Sequence, residues 1–153
     1  MNEKLRQLYE EDILDRNNIH SEELYSRDQA RRKETERVLG ELTDLAAEDF
    51  HHAALIFQHG ETLEHYKKAH ELAMKAVSMG DDSARWLAAA ALDRSLVMSG
   101  QPQKYGTQFK LNEENRWEMI LPVDASTTDE ERARWHVPPL GEAKKVFYEK
   151  YGL

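Results

Sequence analysis

The sequence predicts a mainly α fold: an antiparallel helix bundle or helix-hairpin stack with one β-hairpin near residues 105–123, in a single domain spanning 1–153. Three observations carry that prediction. Glycines fall at 40, 60, 80 and 100, and each closes a stretch of helical apolar spacing; glycine past a helix end adopts the left-handed cap conformation without a Cβ clash. Residues that accept hydrogen bonds from the free N–H groups of a first helical turn stand ahead of those stretches: Ser21, Thr43, Thr62, and Asp82 or Ser83. After Gly100 the apolar spacing changes to strict alternation, the period of a strand.

Taken in order, the elements are helices at about 2–17, 22–39, 44–59, 63–79 and 84–99, and their short connections make neighbours antiparallel. In 63–79, Leu63, Tyr66, Ala69, Ala73, Ala76 and Val77 form one stripe, with Glu64–Lys68 and Glu71–Lys75 pairs on the other side. "RWLAAAALDRSLVM" is apolar nearly all round, which places that helix at the centre, its alanines allowing close approach of neighbouring backbones. In the hairpin, Tyr105, Thr107, Phe109 and Leu111 share one face, and Trp117, Met119, Leu121 and Val123 share the partner face. Thr128 and Glu131 have the spacing of a capping box for a short helix. "HVPPL" is an extended link, and "GEAKKVFYEKY" a last helix.

Charge and composition exclude several function classes. The chain has a formal net charge of −8, which repels phosphate backbones unless a local basic patch compensates. The best such patch, "RDQARRK", runs straight into "ETER", so it reads as a solvated face with i,i+4 pairs, and nucleic acid is not an expected partner. There are no cysteines, hence no disulfide, thiolate metal site or cysteine nucleophile. The longest nearly apolar run, "ARWLAAAAL", is nine residues against the ~20 a membrane span needs. "MNEKLRQLYEED" lacks the apolar core of a signal peptide, so the expected setting is the cytoplasm, with no membrane partner.

Polar groups stand where they are expensive. Asp93 lies on the same face as Trp86 within the central helix and is followed by Arg94. Buried charges there need hydrogen-bonded partners, either a neighbouring helix end or loop, or a ligand. Five of the seven histidines fall within "DFHHAALIFQHGETLEHYKKAH". Asp49 and His52 share a stripe with His59, but His59 is roughly 10 Å further along the axis, and no third convergent ligand follows, so no metal and no cofactor is expected. His59 closes its helix beside Gln58, either as a C-terminal cation or as an acid, base or donor facing a cavity. "PQKYGTQ" packs hydrogen-bonding side chains around Pro102 and Gly106, as a polar plug for helix ends or as a pocket floor.

With "QHG", "DR" and "PQKYGTQ" in that order, the sequence resembles a bacterial domain family of unknown function whose signature is Gln-His, Asp-Arg, then Pro-Gln-x-Tyr-Gly-Thr-Gln. The matching residues are Gln58, His59, Asp93, Arg94, Pro102, Gln103, Tyr105, Gly106, Thr107 and Gln108, and "DEERARWHVPPL" is similar to the family's closing segment. The resemblance covers roughly residues 45 to 140, with Gly60 standing where the family more often has alanine. It implies positions and no chemistry.

Two functions fit. One is a polar pocket for a small molecule or peptide, extending to a metal-independent acid/base enzyme. There His59 is general acid or base, Asp93 its orienting partner, and Arg94 an anchor for carboxylate or phosphate, with Gln58, Gln103, Tyr105, Thr107 and Gln108 positioning the ligand. The other is a protein-interaction module, of scaffold or toxin-neutralising type, whose acidic surface meets a basic protein partner and whose polar motif is structural. The sequence carries both readings, and whether catalysis occurs is left open between them.

Overall fold

A computed structural model describes residues 1–18 and 21–151. The elements are α1 (Glu3–Asn18), α2 (Ser21–Glu41), α3 (Ala47–Gln58), α4 (Leu63–Ser78), α5 (Arg85–Met98), β1 (Phe109–Leu111), β2 (Trp117–Met119), α6 (Asp129–Arg134) and α7 (Ala143–Tyr151), with short 3₁₀ turns at Asp82–Ala84 and Leu140–Glu142. Consecutive helices α3, α4 and α5 pack side by side, and α1 lies across α3 with α2 beside it. The core joins Leu5 and Val38 to Phe57, Leu72 and Leu87. Ala88, Ala89, Ala90 and Ala91 are all buried, as are Ala69, Ala73 and Ala76 of α4, so small side chains let α4 and α5 approach closely.

Two of the four expected glycine caps form. Gly80 and Gly100 have φ of 100° and 72°. The N–H groups of Gly80 and Asp81 return to the carbonyls of Val77 and Ala76, and those of Gly100 and Gln101 to Val97 and Leu96, satisfying carbonyls left over at the helix ends. Gly40 instead lies inside α2, which runs to Glu41. Gly60 lacks a positive φ and is glycine for another reason: a Cβ there would lie 2.4 Å from the Cβ of His65. That spacing leaves no room for the alanine that the resemblance implies at this position.

Helix starts follow the same pattern. Thr62 and Thr128 accept from the backbone N–H groups of His65 (3.2 Å) and Glu131 (3.1 Å). The side chain of Ser21 lies outside the described residues. Thr43 is not a cap: α3 begins three residues later than expected, where Asp49 reaches back to the N–H of Ala46 at 2.9 Å. Ahead of α5 it is Asp81, rather than Asp82 or Ser83, that accepts from a free N–H, that of Ser83.

The hairpin is shorter than alternation suggests. Phe109 pairs with Met119 and Leu111 with Trp117, and residues 104–107 are outside the ladder. The basic segment departs furthest from expectation. Arg31 and Arg32 are buried, and Arg31 bonds to Asp15 (2.5 Å) and Asp28 (2.7 Å) while Arg27 bonds to Asp15. The i,i+4 spacing missed this because Asp15, the partner shared by Arg27 and Arg31, comes from α1, across the helix interface.

Candidate functional site

A cleft of about 580 Å³ opens where the C-terminal end of α3, the middle of α5, the 102–108 corner, the hairpin and α7 meet. Gln58, His59, Arg94, Thr107 and Gln108 all line it. Asp93, Gln103 and Tyr105, expected beside them, do not.

Asp93 explains the corner. Its carboxylate, fully buried, accepts from the backbone N–H groups of Lys104 (2.7 Å), Tyr105, Gly106 and Thr107 (each 3.0 Å) and from the Thr107 hydroxyl (2.7 Å). Four successive N–H groups converge on one anion because Gly106, at φ 88°, turns the chain where a Cβ would meet Leu140 at 2.9 Å. Asp93 is therefore not the partner of His59 and does not line the cleft; all its acceptor capacity goes to the loop. Gln103, also fully buried, spans the base of the hairpin: Nε2 donates to the carbonyls of Gln108 (3.1 Å) and Ile120, and Oε1 accepts from the Gln108 N–H (2.8 Å). Tyr105 faces Trp135, and its carbonyl accepts from the buried Arg132 at 2.8 Å. Burial pushes its phenol up to about 12, so it stays neutral. These three residues hold the corner's shape.

The cleft side of the corner is different. Arg94 donates through Nε to Gln108 Oε1 (2.9 Å) and through Nη1 to the Gln58 carbonyl (2.7 Å), closing the exposed C-terminal end of α3. Among the described residues no carboxylate lies within 4.0 Å of it. Burial lowers its pKa, and the guanidinium lies 5.6 Å from the centroid of the Tyr66 ring. The Nη2 group bonds to no described residue. Gln108 Nε2 meanwhile donates to Thr107 Oγ1 at 3.1 Å, fixing its amide so that oxygen faces Arg94. The Gln58 side chain is 4 % exposed, and its Oε1 is without a partner among the described residues.

His59 is the C-cap of α3, with its ring tied to α1. Nδ1 lies 2.6 Å from Asp12 Oδ2 and 2.8 Å from Arg16 Nε. One nitrogen cannot both carry a proton and accept one. The carboxylate contact takes precedence, because an unprotonated Nδ1 at that distance would set two lone pairs against each other. Arg16 is held independently by Asp28, at 2.8 Å to both oxygens. Burial pushes the Asp12 carboxyl up, but His59 and Arg16 outweigh it and hold it below its ordinary value. Nε2 is then the nitrogen that remains for a ligand.

Sequence reasoning missed the Asp12 and Arg16 support and the aromatic walls. Trp86, Phe109, Trp117, Phe147 and Tyr151 surround the polar groups, with Lys150 Nζ 4.1 Å over the Trp86 ring. Phe147 stacks on Phe109 at 4.2 Å, and the Tyr148 hydroxyl donates to the Trp117 carbonyl, so α7 is fastened to the hairpin. A signal for Asp12 existed: Leu5, Leu8, Asp12 and Asp15 form one stripe, all buried. Among the described residues no group of three metal-ligating side chains converges, and no helix is long and apolar enough to cross a membrane. Compared with protein-family models, with curated proteins and with solved structures, the chain matches none of them.

Proposed function

We propose that the cleft binds a small molecule and that His59 exchanges a proton with it. The observation that carries this reading is the Asp12–His59 pair: a carboxylate kept ionised at 2.6 Å from Nδ1, behind a ring that lines a cleft of about 580 Å³. Such a cleft is of the size that holds metabolite-sized ligands. The pair has the arrangement of a base and its orienting group. Neutral His59 takes a proton through Nε2; the imidazolium formed is stabilised by Asp12, and the charge left on the ligand by Arg94. Tyr105 plays no part in this step, and neither do Asp93 and Gln103.

The test is a thermal-shift screen of pooled metabolites and short peptides, followed by proton NMR of each hit in D₂O. A ligand at a hundred times its Kd adds about 2.7 kcal/mol, or roughly 5–10 °C in Tm for a chain of this size. The expected result is catalysed loss of an acidic proton signal from the bound molecule, slowed about 10²-fold or more in His59→Gln with binding retained. Exchange that runs at the same rate in His59→Gln overturns the role of His59. Hits that bind equally well to a variant with the cleft filled, Leu55→Trp, overturn the cleft as the site. Stabilisation by a basic peptide alone favours the protein-interaction reading.

A further inference from the structure

The cleft has a charge unlike that of the molecule around it. The chain carries 29 acidic and 21 basic residues. Yet the described residues lining the cleft include Arg94, Lys150 and His59 and no aspartate or glutamate. Elsewhere among the described residues the arginines are matched: Arg16, Arg27, Arg31 and Arg32, for example, each bond to a carboxylate. Arg94 is the exception, held in place by an amide oxygen and a backbone carbonyl, both neutral. A guanidinium taken out of water and given only neutral partners keeps most of its field for whatever enters the cleft.

Direction and shape narrow the ligand further. Nε and one N–H of Nη1 are already committed, so Nη2 and the second N–H of Nη1 are the donors left to a ligand. A guanidinium edge with those N–H groups free matches one small oxyanion. The walls are flat: Phe109 and Phe147 stack with planes 14° apart, Trp117 stands 5.3 Å from Phe147, and Trp86 faces Lys150. Aromatic side chains in this arrangement favour a planar, apolar body. We infer that the cleft takes an aromatic ring or ring pair bearing a single carboxylate or phosphate, the anion on Arg94 and the ring among Trp86, Phe109, Trp117 and Phe147. This rests on the cleft being a ligand site as proposed above, and adds the chemical class of the ligand.

Two of the three tryptophans line the cleft, so intrinsic fluorescence reports binding directly. Quenching is titrated with 1-naphthoate, 1-naphthyl phosphate and the neutral 1-naphthamide at low and high salt. The expected result is that at least one anion binds tenfold or more tighter than the amide, about 1.4 kcal/mol, and that Arg94→Gln abolishes the preference. The carboxylate and phosphate arms tell the two anion sources apart. Arg94 also supports Gln58 and Gln108, so Lys150→Gln, an exposed position that touches neither, is the second variant; it lowers anion affinity severalfold more than that for the amide. If the amide binds as well as both anions, the anionic class is overturned while the cleft stands as a binding site. If none of the three quenches at millimolar concentration, the aromatic class is overturned, and the metabolite screen decides the cleft separately.

Discussion

Asp93 is the residue on which the polar corner depends, and its role is structural. Replacing it by asparagine keeps the shape but turns one acceptor into a donor that faces backbone N–H groups. Hydrogen bonds to a charged group contribute about 1.5–3 kcal/mol each, so Asp93→Asn should lower unfolding stability by about 3 kcal/mol or more, measured by urea denaturation. It should also lose fluorescence quenching by cleft ligands, because Thr107 and Gln108 are placed through it. An Asp93→Asn protein as stable as wild type would show that the five contacts are not what holds residues 104–107. Gly60 offers a second check at this scale. A Cβ there would press on a side chain that itself accepts the Glu61 N–H at 3.1 Å, so Gly60→Ala should cost about 1–3 kcal/mol.

At the scale of elements, the buried stripes of α1 and α2 are unusual. On α1 the stripe is Leu5, Leu8, Asp12 and Asp15, and on α2 it is Asp28, Arg31, Arg32, Thr35 and Val38. Both have helical spacing, yet half or more of the positions are charged, so hydropathy sees a solvated face where the fold has an ion-paired interface. The pairing also reaches the cleft, since Asp12 comes from this seam and holds the His59 ring. α7 is the other element that the site depends on. Phe147 contacts Phe109, Trp117 and Tyr151, so Phe147→Ala should remove a wall of the cleft and weaken ligand binding at least tenfold. Because Phe147 is half-buried, the stability loss should stay near 2 kcal/mol, below that for a fully buried phenylalanine. Paired urea and fluorescence titrations check both.

For the whole molecule, acid should weaken the fold in two stages. Burial lowers the pKa of His52 and His65, so the unfolded chain binds more protons than the native state once pH falls below about 6.5, and stability declines there. The carboxyls of Asp12 and Asp15 lie below their ordinary values, because their histidine and arginine partners outweigh burial. Their contribution is complete above about pH 4 and is lost as pH falls through their folded values. Urea midpoints from pH 8 to pH 3 should show both declines, with His52→Gln reducing the first and leaving the second; a flat profile down to pH 4 would sink the histidine part. The helices, the hairpin's place and the two glycine caps at 80 and 100 were legible in the sequence because they follow from local periodicity and backbone conformation. The identities of Gln58, His59, Arg94, Thr107 and Gln108 as neighbours were legible only as residues whose polarity was out of place. Which of them face the cleft with donors to spare was decided by tertiary structure: a carboxylate with five donors is spent, whereas a guanidinium with two neutral partners is not, and partner counts depend on contacts up to 47 residues apart. The sequence by itself determined where the elements lie. Only their packing decided that Asp12 rather than Asp93 stands behind His59, because charge pairing acts through space and leaves no period in the chain.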